Sequence, residues 1–321
     1  MRHLLSILSL LVAAVLAAAA LAGHQVNALA HSEEPIREIA GDIPAEPDFG
    51  EAAADMVTEG LDEQLPVSLP GPIDSAIHST VLSMLDSAQM QGPWDEVLQQ
   101  TRRDYAAQLE QLFADGGTGT ADDITVEVDL SPVVEEMTSS LREDLSSGLS
   151  WLPGVEESSF DGLAPEVVVD LDAGIDDDAD PYIWAAVVQL SGYWPVFAVV
   201  SALLLGLGVL IGGGRSRWIG LALAGLVFSG ICLWMALVPA APEFDRPPEL
   251  SEAAGAILTH VEAGVRQWAQ PTWWVGLGAG AVLVIGGLLG AALSSNGHWN
   301  RRRRQASQVP TDPEHAHLSR V

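Results

Sequence analysis

Six aspartates crowd a short stretch of this chain: Asp170, Asp172, Asp176, Asp177, Asp178 and Asp180. Clustered carboxylates suit calcium, and a helix–loop–helix calcium loop needs alternating carboxylates, a glycine at its sixth position and a glutamate at its twelfth. Counted from Asp170, the second ligand slot is filled by Asp172, but Gly174 replaces the third carboxylate and Ile175 takes the glycine position. Counted from Asp176, Pro181 replaces the glycine and Val187 the glutamate. The pattern fails in both registers, so the tract reads as a solvated acidic hinge and no metal ligand is assigned.

Other reactive groups fare no better. Ser229-Gly230 has the flavour of an intramembrane serine protease, but Val227 stands where a glycine is expected and no apolar span holds the histidine base that a Ser–His dyad requires. All fourteen basic residues are arginine, which removes a phosphate-binding lysine, a Schiff base and Ser–Lys chemistry. The single Cys232 rules out an intramolecular disulfide framework and a cysteine-ligated zinc site, and reads as a packed, inert thiol. Gly206, Gly208 and Gly212, and Gly276, Gly278 and Gly280, sit in apolar runs with no preceding strand, unlike a dinucleotide fingerprint. His24, His31, His78 and His260 are scattered and read as surface residues. No catalytic, cofactor-binding or metal-binding residue is expected, and no cofactor.

The elements around these residues are dominated by lipid-compatible helices. Crossing about 30 Å of hydrocarbon takes roughly 20 helical residues. Four segments qualify: Leu4–Ala22, Trp194–Gly213, Trp218–Val238 and Trp274–Ser294, none containing Asp, Glu, Arg or His. Such runs lack the alternation of a barrel strand, and only a helix satisfies its own backbone in lipid. Trp184, Trp194, Trp218, Trp268, Trp273, Trp274 and Trp299 fall at or near the span ends, where an indole keeps its ring apolar and its N–H wet. Gly208-x-x-x-Gly212, Gly276-x-x-x-Gly280 and Gly286-x-x-x-Gly290 permit close helix approach, within one chain or in a helix–helix oligomer. The absence of ionisable groups inside the spans argues against a secondary transporter.

Arginine placement sets an orientation. Arg2 precedes the first span, Arg215 and Arg217 fill the turn between the second and third, and Arg301–Arg304 follow the fourth. By the positive-inside rule both termini are cytoplasmic, while residues 24–191 and the loop 239–273 face outward. The first span has two readings: an uncleaved anchor, or a secretory signal ending near Ala28-Leu29-Ala30. Its length favours the anchor, and either reading leaves residues 24–191 outside.

That outer stretch holds 36 of the 43 acidic residues and only four arginines, a net charge of -32 in a chain of formal charge -29. Such a balance excludes an ordinary nucleic-acid binder, which needs a basic face. It fits a module that stands off the membrane, binds cations loosely or meets a basic protein partner, or equally a solubility adaptation to salt. The expected organisation is an anchor at 1–23, an acidic, Pro-containing linker at 24–71 with a short helix near Glu51–Gln64, an α+β domain at 72–191, three spans within 192–294, and an Arg-rich cytoplasmic tail at 295–321. Within the domain, Pro72–Gln91 reads as an amphipathic helix through Ile73, Ile77, Val81, Met84 and Leu85. A second helix presents Trp94, Val97, Leu98, Thr101, Tyr105, Leu109 and Leu112 and ends at Asp115-Gly116-Gly117. Alternation from Ile124 to Leu130 predicts a strand, Ser131-Pro132 a helix cap and first turn, and Val167–Leu171 a second strand. Ile257, Leu258, Val261, Val265 and Trp268 form the apolar stripe of a helix expected to lie at the interface or pack against the outer domain.

Trp94-Asp95-Glu96-Val97, then Arg102, Tyr105 and Leu109, then Val126-Glu127-Val128-Asp129-Leu130-Ser131-Pro132-Val133, resembles the outer domain of uncharacterised actinobacterial four-span integral membrane proteins. That group carries a Trp–Arg–His–Leu helix followed by a Leu-Asp-Leu-x-Pro-Val corner; here Tyr105 stands where the histidine is common. The resemblance implies membrane placement and no reaction. The reading is therefore an α-helical, four-span envelope membrane protein with a small, mostly helical α+β extracytoplasmic domain, acting in interaction or scaffolding and not as an enzyme. The alternative is an accessory component of a transport or secretion assembly.

Overall fold

The computed structural model describes residues 2–51, 53–55, 71–85, 87, 89–116, 125–137, 139, 168–172, 181–237 and 252–306. The chain divides into two compact units, one formed by residues 1–20, 195–235 and 272–321, the other by residues 21–194 and 236–271. Four helices are long and apolar enough to cross a membrane, the make-up of a multi-pass helical membrane protein.

The first unit is a helical bundle. It contains the start of α1 (Arg2–His31), then α6 (Trp194–Ile211), α7 (Arg215–Leu237) and the later part of α8 (Glu252–Ala306). Lipid gives helices no hydrophobic reason to associate, so small residues and polar side chains hold them. Ser6 Oγ donates to Gly208 O at 2.6 Å, Ser9 Oγ to Leu204 O at 2.9 Å, and Ser201 Oγ to Ala13 O at 2.8 Å, stitching α1 to α6. A Cβ on Gly208 would stand 2.7 Å from Leu10 Cγ, and one on Gly220 of α7 would stand 2.9 Å from Leu10 Cδ1. Between α7 and α8, Gly225 meets the Gly280 carbonyl, Gly287 meets Trp218 and Ala222 backbone, and Gly290 lies against the Trp218 ring. Leu10, Ala14, Leu221 and Ala224 form the buried centre. The α6–α7 turn uses Gly214 at φ +55, a left-handed backbone open to glycine.

The anchor expected at 1–23 falls on α1, whose serines and Leu10 pack against α6 and α7. One expectation changes in this unit. The pair Gly286-x-x-x-Gly290 does not form one contact face: nothing lies within 4 Å of a Cβ at Gly286, whereas Gly280, Gly287 and Gly290 all face α7.

The second unit is built on α2 (Glu33–Ala40), α3 (Gly71–Leu85), α4 (Gln91–Ala114) and α5 (Pro181–Ser191), with the first part of α8. Strands β1 (Thr125–Asp129) and β2 (Val168–Asp172) pair antiparallel, Val126 opposite Leu171 and Val128 opposite Val169. Among the described residues this ribbon is the whole of the β-structure. Its core joins Ile39, Ile43, Phe49 and Ala54 to Val81 and Leu85 of α3, Trp94 and Val97 of α4, and Val133 and Met137. Val261, Val265 and Trp268 pack against the same core, so this part of the stripe docks within this unit.

Here the expectation of a linker at 24–71 is corrected for residues 24–55; residues 56–70, and with them most of the helix expected near Glu51–Gln64, lie outside the described set. α1 runs on to His31, α2 follows at once, a 3-10 turn covers Ile43–Ala45, and residues 47–51 and 53–55 are helical. Acidic composition misled because the few apolar residues, Ile39, Ile43 and Phe49, recur at spacings that put all of them inward. The loop 239–273 is likewise helical from Glu252, and α8 passes through Pro271 without ending. Pro271 lies at the division between the units. A proline removes one backbone donor, here the one that would reach the Gln267 carbonyl, and the helix continues on both sides of it; close by, the Gln25 amide donates to Ala269 O at 2.9 Å. The helix expected through Gln91 ends at Leu85, and the turn at Ser87–Met90 leads into α4. At the corner after β1, Asp129 rather than Ser131 does the capping: its carboxylate accepts the Ser131 N–H at 2.9 Å.

Candidate functional site

The densest set of polar side chains among the described residues of the acidic unit lies where α4 crosses the α1–α2 junction. Trp94 begins it. Its ring is buried against Phe49, with centroids 5.7 Å apart, and its Nε1–H donates to the Ala40 carbonyl at 2.7 Å, closing the end of α2. On the next position, Asp95 accepts two parallel bonds from Arg37, Nε to Oδ1 at 2.9 Å and Nη2 to Oδ2 at 2.7 Å. One turn further, the buried Gln99 donates Nε2–H to Glu33 O at 3.1 Å and to Asp95 Oδ1 at 3.3 Å. Arg102 then donates Nε–H to Gln99 Oε1 at 3.0 Å and Nη1–H to Ala30 O at 2.7 Å. Ala30 belongs to the last turn of α1, where unsatisfied carbonyls attract a cation.

Asp95, Gln99 and Arg102 are spaced four and three residues apart, one stripe of a helix. That stripe clamps the end of α1 and the start of α2. Its electrostatics are those of a fixed clamp. The Arg37 guanidinium holds the Asp95 carboxyl below the usual carboxylate range against the upward push of burial, and the Gln99 amide adds a smaller lowering. Arg37 is raised in return by its bond to Asp95. Burial lowers Arg102, and Tyr105 is raised by burial alone. Each of these shifts leaves Asp95, Arg37 and Tyr105 further from neutral pH than before, so none of the three gains a proton-transfer role.

The residues singled out from the sequence are not brought together here. Asp170 and Asp172 lie on β2, opposite Glu127 and Thr125 in register, and Asp176, Asp177, Asp178 and Asp180 lie outside the described residues. Among the described residues no group of three His, Cys, Asp or Glu could hold a metal ion. Ser229 Oγ is buried in the bundle against Gly280, without a hydrogen-bond partner, and Cys232 is a free, buried thiol. His24 stacks at a tilt on Trp194, His78 Nε2 lies 3.5 Å from Asp55, and His260 Nδ1 lies 3.4 Å from Glu46. The clamp escaped the reading by residue type because only Arg102, Tyr105 and the Trp94–Val97 run stood out; the signal was the i, i+4, i+7 polar stripe beside the apolar one. Comparison with protein families, curated proteins and solved structures finds no match for this chain.

Proposed function

We propose that this chain is a cell-envelope membrane protein whose acidic domain, residues 24–191, is held on the extracytoplasmic side as a non-enzymatic interaction or scaffolding module. The observation that carries the reading is the charge partition: 36 acidic residues and four arginines in that segment, against arginines at residues 2, 215, 217 and 301–304 beside the other ends of the spans. The positive-inside rule then puts both termini in the cytoplasm. The serine bonds from α1 to α6 support an anchor that is retained, since cleavage would strip Gly208, Gly212 and Gly220 of their packing partner. The α+β description rests on the β1–β2 ribbon against the helical core, and the likeness to four-span actinobacterial proteins on Trp94, Asp95 and Arg102, the residues of the clamp.

A net charge of -32 favours a basic protein as the partner. The test is whole-cell labelling with a membrane-impermeant maleimide, using Glu110→Cys for the domain and Arg215→Cys for the α6–α7 turn. Glu110→Cys should label on intact cells and Arg215→Cys only after lysis. The reverse pattern overturns the orientation. Cross-linking at Glu110 in cells, followed by identification of the attached chain, tests the partner; attachment only to acidic or neutral chains counts against a basic one.

A further inference from the structure

Helix α5 has two faces, and among the described residues only one is packed against the rest of the chain. Pro181, Ala185 and Ser191 are buried, and Ala185 joins Leu109 and Leu112 of α4 with Tyr105, Phe113 and Val188 around them. Tyr182 stacks on Phe113 with centroids 5.5 Å apart. On the opposite side Ile183, Trp184, Val187 and Leu190 follow one another at i, i+1, i+4 and i+7, exposed by 58%, 47%, 39% and 50%. A helix that is apolar all round must bury both sides, in protein or in lipid. Exposed apolar faces of this kind mark a docking surface.

The sequence says what covers it. From Pro181 to Gly214 there is no Asp, Glu, Arg or His, so the exposed face of α5 runs on into the span α6 with Gln189 as its polar residue and no charge. Only Gly192 and Tyr193 separate the two helices. Whatever the disposition of the two units, that covalent join holds the end of α5 at the membrane boundary, and eleven residues of helix reach at most about 16 Å from it. The 18 residues of α6 span roughly 27 Å, slightly less than a hydrocarbon core of about 30 Å. Trp184, Tyr193 and Trp194 supply the amphipathic rings that settle at such a boundary.

We propose that α5 lies in the lipid interface, its Ile183–Trp184–Val187–Leu190 face inserted among acyl chains while its other face carries α4. The occupant of this face is lipid. The acidic unit is thereby seated on the membrane through a helix rather than hung from a free tether. The inference rests on α6 being a span and not on which side is extracytoplasmic, so its failure and that of the orientation are separately visible.

The experiment uses the full chain in phosphatidylcholine nanodiscs, with Cys232→Ser removing the native thiol. A nitroxide is attached at Val187→Cys or Leu190→Cys, with Leu203→Cys on the exposed side of α6 as lipid reference and Glu110→Cys as water reference. Collisions with oxygen should exceed those with a water-soluble nickel chelate at 187 and 190, as at 203. Free nickel collisions, as at 110, overturn the proposal. Exclusion of both reagents also overturns it, since protein, whether a second copy or another segment, then covers the face. Should the cysteine variants not fold, quenching of wild-type and Trp184→Phe protein by brominated phosphatidylcholine decides: the quenchable fraction falls in the variant, and an unchanged fraction sinks the idea.

Discussion

Asp95 is the residue through which the clamp answers to pH. Its bond to Arg37 lowers its protonation range in the folded chain. A lowered carboxyl contributes stability that is complete above its unfolded value, about 3.9, and is lost as pH falls through the folded value. The wild-type core around Trp94 should therefore loosen below about pH 4, read as a change in tryptophan emission, and Asp95→Asn should be weaker at neutral pH and flatter across that range. An equal acid response in the variant would assign the effect to other carboxyls, Asp129 first among them because it too is lowered by its bonds to Ser131. Trp94→Phe tests a different bond. It keeps the ring against Phe49 but leaves the Ala40 carbonyl buried without its donor, a loss of about 1–3 kcal/mol in urea unfolding of the detergent-solubilised chain. Little of this was readable beforehand. Trp94 and Arg102 stood out by type, but Arg37 and Gln99 joined them only because α2 and α4 cross, and no local pattern encodes a partner 58 residues away.

The helices of the bundle are held by absence of side chain as much as by side chains. Gly280→Leu should drive a branched side chain into Ser229 and Gly225 and cost about 1–3 kcal/mol, seen as a lower midpoint of thermal unfolding in detergent. Gly278→Ala, with nothing within 4 Å, should leave the midpoint unchanged or raise it slightly, since alanine is the better helix former. Equal effects at the two positions would refute the assignment of the α7–α8 contact face. Ser6→Ala with Ser201→Ala should cost roughly 0.6 kcal/mol for each bond, because each hydroxyl joins α1 to α6 while the accepting carbonyl keeps its own helix bond. Four long apolar helices were legible from hydropathy, whereas the choice among GxxxG pairs was not: every glycine looks alike along one helix, and only the neighbour distinguishes Gly286 from Gly287.

Charge acts on the molecule as a whole. With a net -32 over residues 24–191, the compact acidic unit repels itself, and counter-ions relieve that repulsion. The screening length shrinks from about 30 Å at 0.01 M to about 8 Å at 0.15 M salt. Protection of this unit from protease should therefore rise with sodium chloride over that interval while the bundle, whose spans carry no charge, stays constant. A salt-independent cleavage pattern would show that the carboxylates are too dispersed to matter.

From sequence alone came the four long apolar helices, the partition of charge, the alternation of β1 and the apolar stripe Val261–Val265–Trp268, while the pairing of β1 with β2 and the packing of that stripe came from the structure. The former are properties of one segment read against a uniform solvent, lipid or water, and periodicity is enough to state them. Tertiary structure alone decided that Ile39, Ile43, Phe49 and Ala54 are core, that α1 is stitched into the bundle, and that the outward face of α5 is exposed among the described residues. Each of those depends on which surfaces from distant parts of the chain meet, and burial of a few apolar residues among many charged ones leaves no periodic trace until the partner surface is in place.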